Sequence, residues 1–236
     1  KQTEDQIYSR DVRPSSGFTT FYSNAGTILN EGFEINMNAT LFRNKDWTVS
    51  MNANLAANKN TIKRLGAEME AYNKAIKDNY ENKMSSYPEE LRQEPVIQYY
   101  EGASTTSIYA VRSLGIDPAN GREKFLKKNG STTYTWCAED MVVCGDENPD
   151  AQGSFGLNVA WKGFYVNASF MYQWGGQAYN ETLLRKVENA DVIGSNVDRR
   201  VLTERWKQAG DVSPYYDLKK NTQTSPTSRF VQDRFR

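Results

Sequence analysis

Three features of the chain point to an all-β fold, an antiparallel segment of a transmembrane β-barrel. The first is strand length. Four runs, 33–42, 47–57, 153–161 and 164–174, alternate apolar with polar residues for nine residues or more. Strands of soluble sheets most often run about 5–6 residues, whereas strands that cross a bilayer need about 9–11. The second is aromatic spacing. Trp161 and Phe164 flank one turn, and Trp174 lies ten residues beyond Phe164 on the same face. Ten tilted steps rise about 25 Å, the height of a lipid-facing band between two aromatic girdles. The third is the alternation of short turns (43–46, 162–163) with long connections (61–105, 176–229). A secreted soluble β-sandwich that binds carbohydrate through exposed aromatics is the competing architecture, because alternation alone does not say which face is dry.

The elements follow in order. Residues 7–22 read as a strand end, a Pro-Ser-Ser-Gly loop and a new extended run, since Pro14 and Gly17 break a helix. The first hairpin, 33–60, puts Phe33, Ile35, Met37, Ala39 and Leu41 on one face of its first strand, and Trp47, Val49, Met51, Ala53 and Leu55 on one face of its second. The opposite faces hold Asn36 and Asn38, then Asn52 and Asn54, and the polar turn 43–46 joins the strands. The connection 61–105 is too long for a hairpin loop. Within it, Met69, Tyr72, Ile76 and Tyr80 recur at helical spacing and predict an amphipathic helix over about 67–84. A second hairpin spans 107–127 around the strong turn Asp117-Pro118-Ala119-Asn120-Gly121. The third, 153–175, places Phe155, Leu157, Val159 and Trp161 opposite Asn158, then Phe164, Val166, Phe170 and Trp174 opposite Asn167 and Gln173. The segment 176–229 reads as a long loop with a short helix in VDRRVLTERWKQAG.

Composition narrows the function classes. The 236 residues carry 29 Lys and Arg against 29 Asp and Glu, so no charge excess draws the chain to nucleic acid. Mean hydropathy is −0.74, and no apolar run reaches the roughly 20 residues of a transmembrane helix. Strands that hide alternate polar residues in a lumen escape that exclusion. The chain has no His, which removes the commonest general base and metal ligand. No paired carboxylates stand out for catalysis, and Asp146, Glu147, Asn148 and Asp150 lack the spacing of a calcium loop. No enzyme activity, metal or cofactor is expected. Cys137 and Cys144 lie in an expected outer loop, where a disulfide is permitted, and a bridge and two thiols remain equally open. The chain opens on Lys-Gln-Thr-Glu-Asp, without Met or a signal segment, and reads as an internal piece of a longer protein.

Several stretches go further than alternation. NAGTILNEGFEINMNATL, then WTVSMNANLAANKNTI, resembles the barrel of SusC/RagA-type TonB-dependent outer-membrane transporters of the Bacteroidota, through Asn24, Gly26, Asn30, Gly32, Glu34, Asn54, Asn58, Lys59, Asn60 and Ile62. LGIDPANGREKF, GDENPDAQGSFGLNVAWKGFYVNASFMYQWGGQAYN, RWKQAGDVSPYY and TSPTSRFVQD resemble further motifs of that family in the same order. Asn120, Ser154, Tyr165 and Ala209 depart from the family residues. The resemblance implies the C-terminal part of a 22-stranded barrel, with the plug domain and the remaining strands of the transporter outside this chain. It implies residence in the bacterial outer membrane and import of an oligosaccharide or oligopeptide. TonB would act through the absent plug, and a SusD-like lipoprotein would serve as the lid. Asn36, Asn38, Asn52, Asn54, Asn158, Asn167 and Gln173 are then lumen-facing candidates, and Trp47, Trp161, Phe164 and Trp174 lipid-facing or girdle candidates. The 67–84 helix either packs on its own chain at the barrel mouth or contacts the lipoprotein.

Overall fold

The computed structural model describes residues 1–4, 7–11, 20–24, 26–71, 73–74, 99–218 and 224–234. Its main element is an open, antiparallel five-stranded sheet. Two strands, β1 (Gln2–Thr3) and β2 (Ile7–Asp11), precede β3 (Thr20–Asn24), and β2 pairs with β3. The long hairpin follows as β4 (Gly26–Arg43) and β5 (Trp47–Leu65). After a large insertion come β10 (Ala151–Trp161) and β11 (Phe164–Trp174). The order across the sheet is β1, β4, β5, β10, β11. Among the described residues the sheet does not close on itself.

Both hairpin turns have evident causes. Asn44 closes the first: its backbone N–H donates to Trp47 O at 2.8 Å, and its side-chain oxygen accepts from the Asp46 and Trp47 amides at 2.9 and 2.7 Å. Lys162 (φ 43°) and Gly163 (φ 92°) close the second as a two-residue turn with both φ values positive, the geometry that matches strand twist. The Lys162 amide also donates to Asp46 O at 3.1 Å, so the two tight turns lie side by side.

Beyond the nine to eleven residues needed to cross a bilayer, β4 and β5 continue to 18 and 19 residues. Their far ends run from the predicted hairpin into 26–32 and 61–65. There the side chains become polar or covered: Asn30 and Asn60 are joined at 2.9 Å, and the Thr105 amide and hydroxyl both donate to Asn60 Oδ1 at 3.0 Å.

The insertion between β5 and β10 carries its own sheet, of β6 (Ser107–Ile116), β7 (Glu123–Leu126), β8 (Thr132–Thr133) and β9 (Met141–Asp146), in the order β8, β7, β6, β9. The predicted 107–127 hairpin is therefore the middle of a four-stranded sheet. Its register slips between Ser113 and Ile116, where it bends towards the Asp117 turn. Consecutive residues Ala110 and Val111 are both fully buried, unlike the alternation of β4, β5, β10 and β11.

The segment after β11 is more ordered than a long loop. It contains β12 (Gln177–Tyr179), short helical turns at Glu181–Leu183, Leu184–Glu188 and Arg200–Thr203, and β13 (Val231–Asp233), which pairs with β12. Helix is present at 67–71 and 73–74, with Met69 only 2% exposed. The rest of the predicted 67–84 helix lies outside the described residues.

Among the described residues the two hydrophobic clusters lie in the insertions, Val111, Phe125, Trp136, Ala138 and Met141, and Leu183, Val187, Val201, Tyr215 and Phe230. The main sheet adds buried Ile28 and Ile62 at the far end of its long hairpin and Ala151 at the start of β10. On the sheet itself Phe33, Ile35, Leu41, Phe164, Val166 and Phe170 each remain more than half exposed. Among the described residues nothing covers that face, as the second layer of a β-sandwich would.

Candidate functional site

The register of the main sheet assembles two opposite faces rung by rung. On the apolar face, Trp47 pairs with Trp161 and Trp161 with Phe164; Met51 pairs with Leu157 and Leu157 with Ala168; Ala53 pairs with Phe155 and Phe155 with Phe170. The rings interact across the strands. Trp47 stacks on Trp161 at 5.4 Å, Trp161 on Phe164 at 6.0 Å, and Phe155 on Phe170 at 5.0 Å. At the other end Tyr172 stacks on Trp174 at 5.9 Å. The aromatic residues thus form one row beside the tight turns and another about 25 Å away, by ten strand steps from Phe164 to Trp174.

The opposite face is polar. Asn36 pairs with Asn54 and Asn54 with Ser154; Asn38 with Asn52 and Asn52 with Gly156; Ser50 with Asn158 and Asn158 with Asn167; Gln152 with Gln173. The seven polar candidates therefore share one face of four consecutive strands. Part of the face satisfies itself. Asn54 donates to Ser154 Oγ at 2.8 Å and accepts from the Ser154 amide at 2.9 Å, while Asn167 donates to Asn158. Ser154 was not among the sequence candidates, because a lone serine in an alternating run carries no signal until its cross-strand partner is known. At Gly153, with no side chain, the Tyr172 ring folds over the strand from the apolar side and donates to Asn54 O at 2.9 Å.

Above the far row of aromatics, the motif residues dock into one another. The Asp117 turn is held by Asp117 Oδ1 accepting from Ala119 N at 2.9 Å and by Gly121 N donating to Asp117 O at 2.8 Å. Trp206 lies against Gly121 (φ 66°) and donates its indole N–H to Pro118 O at 2.9 Å; the Gly210 amide donates to the same oxygen at 2.9 Å. A Cβ at position 121 would collide with the Trp206 ring in a backbone region that side chains avoid. Gly121→Val should therefore cost about 2–4 kcal/mol of loop stability. Thermal unfolding followed by Trp206 fluorescence checks this, with Gly130→Ala, at an open glycine with positive φ, as the milder control.

Four segments meet at a buried charge cluster that sequence reasoning missed as a unit. Arg229 makes paired contacts with Glu123, Nε to Oε1 at 3.1 Å and Nη2 to Oε2 at 2.9 Å, and also pairs with Glu188. Its Nη1 donates to Pro214 O at 2.6 Å. Arg205 donates to Glu188 O at 2.5 Å, to Val187 O and to Tyr216 O at 3.0 Å, so it closes the carbonyl end of the 181–188 helical turns. Thr227 adds a 2.6 Å hydrogen bond to Glu123. Burial pushes the Glu188 carboxyl above the ordinary carboxylate range, against the pull of the Arg229 charge. Burial likewise lowers Arg205, whereas in Arg229 the two carboxylates outweigh burial and hold the guanidinium above its usual value. The quoted motifs contain Glu123, Arg205, Thr227 and Arg229 but not Glu188. Only the tertiary fold brings Glu123 and Arg229 together across 106 positions.

The expected site at Cys137 and Cys144 holds no disulfide. Cys137 precedes the 3-10 turn Ala138–Asp140, and Cys144 stands three strand steps into β9, about 10 Å beyond Met141. The Cys144 thiol donates instead to Ala110 O at 3.4 Å. Among the described residues no cluster of acidic, Cys or His side chains is arranged to hold a metal.

Fold and faces together define an open antiparallel sheet with one apolar and one polar face, topped by structured insertions. The chain is similar to TonB-dependent receptor P3 of Formosa agariphila, with 25% identity over 190 residues, which is 78% of this chain and 18% of that protein. No family model matches. Among solved structures, the RagAB peptide transporter superposes with a TM-score of 0.70 at 20% identity, covering 98% of this chain and 24% of that one. The RagAB peptide importer in its open-open state superposes at 0.68 with the same coverage. These findings support a SusC/RagA-type TonB-dependent transporter, as the motifs suggested. The proteins found are receptors and transporters, not enzymes.

Proposed function

We propose that the chain is part of the wall and outer loops of an outer-membrane importer. The carrying observation is the segregation of the main sheet. Exposed Phe, Ile, Val and Trp lie on one face between two rows of aromatics, and amides and hydroxyls lie on the other, with Glu34, Tyr165 and Met171 among them. In a lipid-embedded barrel the first face meets acyl chains and the second a wet lumen. The turns at 44–46 and 162–163 then point to the periplasm, and the β6–β9 sheet and the 177–230 segment crown the outside. Asn36, Asn38, Asn52, Asn54, Asn158, Asn167 and Gln173 line the lumen, while Trp47, Trp161, Phe164 and Trp174 mark the lipid boundaries.

The chain spans about a fifth of the relative and a quarter of the solved transporter it matches, so the activity belongs to the complete protein. That protein would close a 22-stranded barrel around an N-terminal plug. It would import oligosaccharides or oligopeptides, with energy delivered by TonB and the proton-motive force and a SusD-like lipoprotein as lid. The crown suits such a lid, because its two insertions are pinned together by Arg229 into one platform. The burial of Met69 favours packing of the helical segment at 67–71 on its own chain over presentation of its apolar side to a partner. The test is co-purification. The full-length protein, extracted from outer membranes in detergent, should carry a lipoprotein with it, and removal of 66–86 should leave that association intact. A full-length protein that purifies as a soluble monomer without detergent would end this reading.

A further inference from the structure

We propose that the tight-turn end of the main sheet binds the headgroup of an anionic phospholipid, with Lys45 and Lys162 on its phosphate. The inference rests on the wall reading above and names a lipid partner for that end. Trp47, Trp161 and Phe164 pair across three consecutive strands, and the stacked Trp47 and Trp161 stay 39% and 41% exposed. Their indole N–H groups make no hydrogen bond among the described residues. Those of Trp136 and Trp206 in the crown, by contrast, donate to Pro226 O and Pro118 O. The two tight turns lie side by side at the end of this stack. Lys162 reaches its ammonium to 6.0 Å from the Trp161 ring centre, on the apolar side of the sheet. Lys162 also has φ 43°, and among the described residues it is the only residue other than glycine with a positive φ. Asn or Gly suits that turn position better, so a lysine there points to a task for its ammonium.

Charge and surface together select the ligand. Neither Lys45 nor Lys162 makes an ion pair among the described residues. Arg43 pairs with Thr48 and so stands on the polar face, and Asp46 is the carboxylate of the two turns. Lys45 and Lys162 against Asp46 leave one net positive charge, which draws an anion. The ligand must also offer acceptors to two indole N–H groups and an apolar body to the rings. Beyond the aromatic row the face continues as Val49, Val159 and Val166, then Met51, Leu157 and Ala168. No charge interrupts those two rungs, and acyl chains can lie along them. A phospholipid supplies all three parts in the right order: phosphate at the lysines, ester oxygens at the indoles, acyl chains on the aliphatic rungs. Inorganic phosphate would use the lysines alone. A choline headgroup brings its own cation to the lysines, so an anionic headgroup is favoured.

The experiment uses the full-length protein, extracted from outer membranes in mild detergent and stripped of lipid. It is titrated with short-chain phosphatidylglycerol, phosphatidylcholine of the same chain length, or inorganic phosphate, and bound lipid is counted by native mass spectrometry. Phosphatidylglycerol should bind in preference to phosphatidylcholine at the tightest site, and inorganic phosphate should not displace it. K45Q/K162N should weaken that tightest binding about thirtyfold, as expected for two lysines facing an anionic headgroup. The variant should still run as a folded, heat-modifiable band, because Asn suits the positive φ at position 162. Unchanged binding in the double variant, or equal binding of the two lipids, overturns the headgroup site and leaves the wall reading standing. Displacement of the lipid by inorganic phosphate at matched concentration overturns the lipid as occupant. A protein that stays soluble and monomeric once detergent is removed overturns the wall reading, and the site with it.

Discussion

Arg229→Ala will separate the two outer insertions, at a cost of about 3–5 kcal/mol, because it leaves two buried carboxylates without a counter-ion. The Glu123 side chain is 7% exposed and that of Glu188 0%, and Arg229 is the cation that pairs with both. Glu188 Oε2 and Arg205 Nε already make no hydrogen bond among the described residues, so the cluster has little reserve. Limited proteolysis and amide hydrogen exchange across 177–230 in the full-length protein would read the loss. Replacing the whole cluster by neutral residues of similar size, E123Q/E188Q/R229M, should recover much of the stability, since the penalty lies in the unpaired charge. A triple variant as unstable as Arg229→Ala would refute that account. The pH dependence follows from Glu188. Its folded-state proton affinity is raised, chiefly by burial, so the folded loops bind a proton that the opened loops release. This contribution is fully present below the ordinary carboxylate pKa and is lost as pH rises through the elevated folded value. Protection factors in 177–230, corrected for the intrinsic pH dependence of amide exchange, should therefore fall as pH rises just above the usual carboxylate range, and E188Q should flatten that fall.

The second large effect concerns the sign of the sheet. Leu157→Arg places a cation on the apolar face midway between the aromatic rows, opposite Met51 and Ala168. In lipid this costs about 2–4 kcal/mol. Ser169→Arg puts the same side chain on the polar face, where it is exposed, and should change folding stability by about 0.5 kcal/mol or less. Urea unfolding in lipid vesicles, read as the fraction of heat-modifiable protein, separates the two. Equal effects, or a larger one at Ser169, would mean that the proposed lumen and lipid faces are reversed.

Much of the wall was legible before any fold was known. A strand has a period of two, so Phe33, Ile35 and Met37 had to part from Asn36 and Asn38 whatever their surroundings. Lys162-Gly163 and Asn44 set their turns by local backbone chemistry. The limits of the elements were less legible. The strands β4 and β5 run well past the membrane-length stretch, because Asn30, Asn60 and Thr105 extend the pairing through side-chain contacts that no period encodes. The strands and turn of 107–127 belong to a larger sheet, and neither the partner β9 nor the Pro226–Ser228 segment that threads beside it was visible in the sequence. The Val111 amide donates to Pro226 O at 3.1 Å, and the Trp136 indole N–H to the same oxygen at 2.8 Å. The spacing of Cys137 and Cys144 permitted a bridge that the direction of β9 does not make.

By itself the amino-acid order determined the two chemically opposite faces of the long strands, their tight turns and the absence of imidazole chemistry, because each depends on residues within a few positions of one another. Tertiary structure alone decided the rest. It decided which amides pair and which stay free, that Trp206 seats on Gly121, and that Glu123, Glu188, Arg205 and Arg229 share one buried site. Those outcomes rest on contacts between segments far apart in the chain, where burial and cross-strand register set the energy, and no local pattern carries that information.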